Sequence, residues 1–531
     1  MSTEFHALQT QGTWSLVPSP PNHQVIGCKW IYKLKFLADG SVARYKARLV
    51  AQGFKQQYGV DYLETFSPVV KFATIRMFLI VALHHDWPIH QLDVMNAFLH
   101  GKLDQPVYMS QPQGFEDKTF PDHVCLLHKA IYDLKQAPRL WFATLSTYLK
   151  NQNFLISSAD PSFFHYHKDH LHIYILVYVD DILITGNDSA SITSLILNLQ
   201  QKFQTRNLGH LSKFLGIEFH RSAAGYHLHQ HSYIQDLLHT ASMTNCKPLL
   251  TPLPSKYPVD PTLQLPFGQP DLFRQLAGSL QYLTSTRPDI AFVVNKLCQH
   301  MHNPLLLHFQ LLKRVLRYLK GTLHHGLFLP KTNLLLSAYS DSDWAGDQLD
   351  RKSTTGYCIF LGSALLSWSV KKQTTVARSS TEAEYRSMAA AAADLIWTRR
   401  LCEDFQITLP STELFCDNIS AMSIACNPIF HARTKHIEVD HHFIRDCIQS
   451  NQITVRHIST ADQPADIFTK SLSSARLIDL RTKLLVLPTI SLREGDMVTA
   501  SSTTPKSFAK AGAGAEPVGA HQNRCPPSPA I

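Results

Sequence analysis

Ile173-Tyr174-Ile175-Leu176-Val177-Tyr178-Val179-Asp180-Asp181 is the most informative segment of the chain. It is apolar and aromatic enough to form a buried strand, and it finishes on two adjacent carboxylates. The apolar pattern resumes at Ile182 and stops at Gly186-Asn187-Asp188, so we expect the acids at the tip of a short hairpin. A carboxylate in an apolar setting must be hydrogen-bonded, exposed or neutralised. The pair is therefore either a polar turn or a site for a divalent cation, and this stretch alone fits both.

A second lone acid, Asp93, lies at the end of another apolar, strand-like segment. One acid from each of two strands is the minimum that can hold two Mg²⁺ ions, which together grip the attacking and leaving oxygens of a phosphoryl displacement. That chemistry is nucleotidyl transfer. Phe98 follows five residues later, and its ring lies either against the sugar of an incoming nucleotide or in the core.

The Tyr178–Asp181 motif and the segment from Leu92 to Gly101 resemble the palm of a reverse transcriptase from a copia-type LTR retrotransposon. Four further segments match that family's pattern in order: Gly27–Trp30, Tyr45–Gly53, Glu64–Val70 and Leu134–Arg139. The resemblance implies that Asp93, Asp180 and Asp181 are catalytic and hold Mg²⁺ or Mn²⁺.

The same resemblance places the first two of these segments in the fingers and the last beside the template and nucleotide. Lys46 and Arg48 are then candidates to bind the triphosphate, because cations there would offset its charge. Without the resemblance, a solvated basic face is the better interpretation of these two residues. The resemblance also makes Gln136, in the Leu134–Arg139 segment, a candidate substrate-binding residue.

Another set of acids appears after residue 335: Asp341, Glu384, Asp417 and Asp466. The elements that carry them run strand, strand, strand, helix, strand, helix, with strands expected at Gly356–Leu361, Ala364–Val370 and Thr375–Ala377. This order resembles the RNase H domain of the same family, and the resemblance implies that the four acids are catalytic metal ligands acting on the RNA strand of an RNA–DNA hybrid. Two neighbouring acids are set aside, Asp343 and Glu382, the latter as a surface charge.

Two histidine-containing motifs and one basic helix leave alternatives open. The donors of Thr434–Phe443, with Cys447, fall on different faces of an expected helix, which argues against zinc. His457 is either a residue that aids proton transfer or product release, or a surface histidine. Lys313, Arg317 and Lys320 share one face of a helix expected at Leu307–Gly321, which either follows a duplex backbone or is simply solvated.

The composition fits a nucleic-acid enzyme without proving one. A chain of 531 residues with 44% hydrophobic content can form several domains, and a net charge of +9 favours a polyanionic partner. Ten scattered cysteines without a Cys-x-x-Cys pair suit a reducing compartment. No signal peptide and no span of about 20 apolar residues is present, so we expect an intracellular protein, in a cytoplasmic particle or the nucleus, without a membrane partner.

These patterns predict a fold of mixed α/β and α+β class. We expect reverse transcriptase fingers and palm at residues 5–245 and a Pro-rich linker with a helical thumb or connection at 246–335. An RNase H-like domain follows at 336–495, and a disordered tail, poor in large apolar residues, at 496–531.

The predicted function is RNA-directed DNA synthesis with ribonuclease H activity, with an RNA template, a DNA primer, an RNA–DNA hybrid and dNTPs as partners. The chain is expected to be a fragment of a Pol polyprotein. An inactive nucleic-acid-binding remnant is the alternative, because Asp133 stands where the family usually has glycine, before the segment that contacts template and nucleotide. A ribonuclease whose polymerase half is only a scaffold is a further alternative.

Overall fold

The structure is a computed structural model that describes residues 1–489 except residues 22, 37–40, 257, 259 and 427–437. The chain folds into two compact units. The first contains Met1–Phe78 and His85–Leu211, and the second contains Leu79–His84 and the chain from Ser212 onward. The predicted disordered tail at 496–531 lies outside the described residues.

The described strands of the first unit form three sheets. A six-stranded sheet has the order β12-β5-β11-β10-β9-β8, a four-stranded sheet the order β1-β7-β6-β2, and β3 pairs with β4 alone. The strands are β1 (Trp14–Val17), β2 (Val25–Ile26), β3 (Cys28–Phe36), β4 (Val42–Ala51), β5 (His90–Val94), β6 (Lys102–Met109), β7 (Val124–Lys129), β8 (Leu155–Ile156), β9 (Phe163–Lys168), β10 (Leu171–Tyr178), β11 (Asp181–Gly186) and β12 (Thr205–His210). The helices are α1 (Ser2–Thr10), α3 (Ala137–Asn151) and α4 (Ser189–Phe203), and α2 (Phe72–His84) contributes residues to both units.

The core of the first unit explains why β10 is apolar. One face of β10 presents Ile173, Ile175 and Val177 to a cluster that also includes side chains of α3 and α4. The opposite face is buried as well, as Leu176 shows. A strand covered on both faces reads as a continuous apolar run rather than an alternating one, and this run positions the acids at its end.

In the second unit, the strands that the structure describes form two sheets of five strands each. Their orders are β13-β14-β15-β16-β22 and β19-β18-β17-β20-β21. The strands are β13 (Lys213–Phe214), β14 (Ile217–Arg221), β15 (Gly225–His229), β16 (His325–Pro330), β17 (Leu336–Asp343), β18 (Thr354–Leu361), β19 (Ala364–Lys372), β20 (Thr412–Cys416), β21 (Ile453–His457) and β22 (Val486–Pro488). The helices are α5 (His231–Thr240), α6 (Pro270–Leu283), α7 (Ala291–Cys298), α8 (Leu306–Gly321), α9 (Ser380–Asp404), α10 (Ile419–Cys426), α11 (Glu438–Gln449) and α12 (Ser474–Lys483).

The predicted order of elements after residue 335 is confirmed, with one local correction. β17, β18 and β19 form antiparallel pairs, α9 follows, and β20 returns parallel to β17 before α10. Residues Thr375–Ala377, however, belong to no strand. They lead into α9, where the side chain of the N-cap Ser379 accepts a hydrogen bond from the Glu382 amide. A segment with strand-like composition forms no strand when no neighbouring strand is there to pair with its backbone.

The two compact units divide between Leu211 and Ser212, and the predicted domain boundaries near 245 and 335 stay predictions. One sheet of the second unit pairs strands that are far apart in sequence. β16 lies between β15 and β22, so segments from all three predicted domains share one sheet. Within the described part of the chain, no helix combines the length and apolar character that crossing a membrane would require.

Candidate active sites

The three acids predicted for nucleotidyl transfer come together in the first unit. Val179 and Asp180 form a tight turn between β10 and β11, with Val179 in the left-handed region at φ 53°. Asp181 begins β11 and lies opposite Asp93 on β5. The Val94 amide donates a 2.8 Å hydrogen bond to the Asp180 carbonyl, which ties the turn to β5. The predicted hairpin tip is therefore confirmed.

A buried tryptophan that the sequence interpretation missed fixes this turn. The indole Nε1 of Trp141, on α3, donates a 2.6 Å hydrogen bond to the Val179 carbonyl. Trp141 is 1% exposed. A buried Trp usually finds a partner for its N–H, so the indole holds the strained residue beside the acids. The only sequence signal was a Trp on the apolar face of a helix, which does not identify its partner.

The electrostatics of the cluster favour a bound cation. Burial raises the pKa of Asp181 to about 6, with further contributions from the charges of Asp180 and Asp93. Burial also raises the pKa of Asp180, assisted by Asp93 and opposed by the charges of Arg48 and Lys46. Like charges held together on neighbouring strands are costly unless a counter-ion neutralises them. Because all three side chains offer carboxylate oxygens, they fit a hard divalent cation.

The candidate nucleotide-binding cations lie close enough to act on these acids. The charges of both Lys46 and Arg48 lower the pKa of Asp180. The Arg48 guanidinium stacks 4.4 Å above the ring centroid of Tyr132, and Phe98 meets the same ring edge-on at 5.1 Å. Phe98 is partly buried against the core. The structure thus groups Arg48 and Phe98 around Tyr132, which the sequence interpretation did not single out, and Lys46 lies two residues from Arg48 on β4.

Gln136 is placed differently from the other candidates. Its side chain is 5% exposed, its Oε1 accepts a 3.0 Å hydrogen bond from Gln56 Nε2, and its Nε2 donates to the Asp61 carbonyl at 3.0 Å. An amide that is hydrogen-bonded through both atoms has little capacity left for a ligand. The geometry therefore gives Gln136 a part in anchoring the segment around Asp61.

Asp133 occupies the backbone conformation that makes glycine usual at this position. Its φ is 71°, in the left-handed region, and its side chain is exposed. Aspartate adopts this region more readily than most residues, although at a cost of about 1 kcal/mol. The glycine that close backbone contact requires is Gly53, in a neighbouring segment. A Cβ on Gly53 would lie 1.8 Å from the Asp133 carbonyl oxygen.

The second set of acids lies within the second unit. Asp341 is on β17, Glu384 is on α9, Asp417 follows β20, and Asp466 is in a short 3₁₀ helix, Pro464–Phe468. Ligand atoms of Glu384, Cys416 and Asp417 all lie within 4.8 Å of one another. Burial and the charges of Asp341 and Asp417 raise the pKa of Glu384. The amide of Ser342, the residue after Asp341, donates a 3.2 Å hydrogen bond to Glu384 Oε1, which ties the Asp341 segment to this group.

Asp341 and Asp466 are joined by residues absent from the sequence-based assignment. Lys470 Nζ lies 3.1 Å from Asp341 Oδ1 and 2.6 Å from Asp466 Oδ1. The Thr469 hydroxyl donates to Asp341 Oδ2, and Arg476 lies 3.2 Å from Asp466 Oδ2. The signal for Lys470 was its position four residues after Asp466, a spacing that brings two side chains together on a helical turn.

The two acids that were set aside have structural roles. Asp343 accepts a hydrogen bond from the Thr354 amide, at the end of the β17–β18 pair. Glu382 is 4% exposed, accepts from the Arg378 amide at 2.8 Å and pairs with Arg386 at 2.6 Å. The expectation that Glu382 is a surface charge is therefore wrong, because this carboxylate is buried and is bonded to the Arg378 amide, just before the N-cap of α9.

The histidine motifs are only partly described. Residues 434–437 lie outside the described residues, and α11 begins at Glu438. Among the residues that the structure describes, Glu384, Cys416 and Asp417 form a group that could share a metal ion, and the histidines of α11 do not. His457 is exposed and lies opposite Cys416, the residue before Asp417, in the β20–β21 pair.

The basic face of α8 is partly engaged by the preceding segment. Arg317 Nε donates a 2.7 Å hydrogen bond to the Lys247 carbonyl, and Lys313 Nζ lies 5.1 Å from the Phe309 ring centroid. Lys313 is exposed and Lys320 is half-buried. Both interpretations of this face therefore remain predictions.

Comparisons with known proteins give a consistent picture. The family described as "Reverse transcriptase (RNA-dependent DNA polymerase)" matches residues 11–255. The chain is 49% identical over 491 residues to a retrovirus-related Pol polyprotein from transposon RE1 of Arabidopsis thaliana, which covers 91% of this chain and 33% of the relative. It is 38% identical over 480 residues to the corresponding polyprotein from transposon TNT 1-94 of Nicotiana tabacum, covering 88% of this chain and 36% of the relative.

A shorter relative is matched along almost its whole length. It is a putative transposon Ty5-1 protein of Saccharomyces cerevisiae, 32% identical over 298 residues, which covers 55% of this chain and 97% of the relative. The chain spans about a third of the length of the two plant polyproteins.

Proposed function

Because this chain belongs to the family of copia-type retrotransposon Pol polyproteins, we propose that it is an RNA-directed DNA polymerase with ribonuclease H activity. The observation that carries the proposal is the convergence of Asp93, Asp180 and Asp181 on neighbouring strands beside the charges of Lys46 and Arg48. The four acids of the second unit support the ribonuclease. The partners would be an RNA template, a DNA primer, dNTPs and an RNA–DNA hybrid.

In the polymerase site the acids would hold Mg²⁺, whose oxygen preference matches theirs. Bound Mg²⁺ supplies charge neutralisation at the reacting phosphate and activates the attacking oxygen. Lys46 and Arg48 would offset the charge of the incoming triphosphate. Phe98, held edge-on against Tyr132, would present a fixed ring to the sugar.

In the ribonuclease site the protein itself supplies both acidic ligands and their orientation. The Ser342 amide donates to Glu384 Oε1 at 3.2 Å, and the Thr460 hydroxyl donates to Asp417 Oδ2 at 2.9 Å. These bonds fix two carboxylates from different elements, and preorganised ligands need little rearrangement when a cation or substrate arrives. The same Mg²⁺ chemistry would direct water onto the RNA strand.

The test is primer extension on poly(rA)/oligo(dT) with Mg²⁺, run beside cleavage of an RNA–DNA hybrid. Asp180→Asn and Asp417→Asn are matched variants, since each replaces one acid by its amide in only one site. We expect extension to vanish only in Asp180→Asn and cleavage to vanish only in Asp417→Asn.

Other outcomes separate the alternatives. Nucleic-acid binding without either turnover would support an inactive remnant, and Asp133→Gly would then show whether the left-handed aspartate is responsible. Cleavage without extension would support a ribonuclease with a polymerase half that is only a scaffold.

A further inference from the structure

Lys470 occupies the space between two of the four ribonuclease acids. Its ammonium lies 3.1 Å from Asp341 Oδ1 and 2.6 Å from Asp466 Oδ1. Asp341 is 1% exposed, whereas the Lys470 side chain is 38% exposed. Within the described ranges, the polar contacts of this ammonium are with these two carboxylates. A compact cation therefore bridges two buried acids from the solvent side.

The oxygens of Asp341 and Asp466 are all engaged by protein donors. Besides Lys470, the Thr469 hydroxyl donates to Asp341, and Arg476 pairs with Asp466 at 3.2 Å. The other half of the site differs, because the donors to Glu384 and Asp417 among the described residues are neutral groups. The protein thus neutralises one half of the site with its own cation and leaves the other half to an external one.

Arg476 is held beside Asp466 by several other contacts, whereas Lys470 is free to leave the acids for another anion. The Arg476 guanidinium also donates to the carbonyls of Thr460 and Ala461, and it contacts Asp479. These contacts would keep it in place if Asp466 turned to another partner. Lys470 has no comparable set among the described residues, and a lysine ammonium on its flexible four-carbon stem can move to another anion.

We propose that Lys470 is an internal counter-ion that competes with a divalent cation for Asp341 and Asp466. The free protein would then take one divalent cation on the Glu384–Asp417 side, and a second only when Nζ is displaced. The backbone phosphates of a bound hybrid offer the ammonium another anionic partner, so binding of the second cation is coupled to binding of the hybrid. This inference rests on the proposed ribonuclease site.

The experiment measures Mn²⁺ binding by electron paramagnetic resonance on the full chain without nucleic acid. Lys470→Met removes the ammonium and keeps a side chain of similar length. The control is Lys483→Met, because Lys483 lies 3.6 Å from the exposed acids Asp462 and Asp479 and has no ion pair with Asp341 or Asp466 among the described residues. The polymerase acids contribute equally to all these proteins, so differences report on the second unit.

We expect Lys470→Met to bind its weakest Mn²⁺ ion about tenfold more tightly than the wild type, which corresponds to about 1.4 kcal/mol. Lys483→Met should match the wild type. Adding the RNA–DNA hybrid to the wild type should raise its affinity for the weakest Mn²⁺ ion most of the way to that of Lys470→Met. An isotherm for Lys470→Met that equals the wild type, or that is weaker, would overturn the competition and leave Lys470 as a clamp that orders the acids.

Two further variants keep the outcomes distinguishable. Lys470→Arg retains the charge, so wild-type Mn²⁺ affinity is expected even if Lys470→Met folds poorly, and a tenfold gain in Lys470→Arg would refute a charge-based competition. Asp417→Asn tests whether the acids bind metal at all. If it leaves the Mn²⁺ isotherm unchanged, the proposed ribonuclease site itself has failed, independently of the role of Lys470.

Discussion

Asp181→Asn should stabilise the metal-free protein at neutral and alkaline pH while it abolishes polymerisation. The pKa of Asp181 is raised from 3.8 to about 6 by burial and by the charges of Asp180 and Asp93. A carboxyl whose pKa is raised on folding favours the folded state fully below pH 4, and this contribution is lost as the pH rises to about 6. Above pH 6 the ionised group therefore destabilises the fold, and the neutral amide does not.

The magnitude follows from the shift of about two pH units. At about 1.36 kcal/mol per unit the upper bound is about 3 kcal/mol, and because the carboxyl is partly solvated we expect about 1–2 kcal/mol after screening. The gain of the variant over the wild type should grow from zero near pH 4 to this value at pH 8. Millimolar Mg²⁺ should reduce it, because a cation neutralises the wild-type cluster.

The assay is hydrogen–deuterium exchange of peptides that cover β10 and β11, measured in EDTA at several pH values, because a protein of two units need not unfold in one step. Asp188→Asn is the control of opposite sign. Asp188 caps α4, accepts a 2.7 Å hydrogen bond from the Ser191 amide, and has a lowered pKa for that reason. Its contribution is present at neutral pH and is lost as the pH falls. A gain for Asp181→Asn that is the same at pH 4 and pH 8 would refute the electrostatic reasoning.

Three more changes test other parts of the structure. Arg287→Met should cost about 3–5 kcal/mol in urea unfolding, because it strands the buried partner carboxylate of Asp289, at 2.8 Å, and the double variant with Asp289→Leu should recover most of this loss. Gly53→Ala should lower the melting temperature, because its Cβ would meet the Asp133 carbonyl oxygen and should cost more stability than the about 1–3 kcal/mol of ordinary overpacking; an unchanged melting curve would contradict the close approach. Trp141→Phe removes the donor to the hairpin turn, and primer extension should fall about tenfold or more while hybrid cleavage is unaffected; equal losses in both assays would indicate general unfolding instead.

Much of the candidate chemistry was visible in the sequence because its signals are local. The run that ends in Asp180 and Asp181 predicts both a buried strand and a turn, and the structure has both. The order of strands and helices after residue 335 also followed from local periodicity. The left-handed backbone at Asp133 could be anticipated from the glycine that the family usually has there.

Contacts that depend on distant partners were not visible in the sequence. Glu382 lies in a helix-opening motif, but its burial depends on the elements packed around α9. Gln136 stands in a matching segment, yet its amide is occupied by Gln56 from another part of the chain. Thr375–Ala377 has the composition of a strand but no neighbouring strand to pair with.

Local signals in the sequence indicated the hairpin that carries Asp180 and Asp181 and the succession of elements, whereas the roles of the acids assigned to each site stay predictions. Local periodicity and turn chemistry encode such features within a few residues. The tertiary structure alone brings Lys470 to Asp341, because these two residues are far apart in the chain and meet when β17 packs against the segment that contains the 3₁₀ helix and Lys470. It also decided that β16 lies between β15 and β22. Contacts of this kind follow from the packing of whole elements, which minimises exposed apolar surface and unpaired backbone groups across the entire unit and leaves no local mark on the sequence.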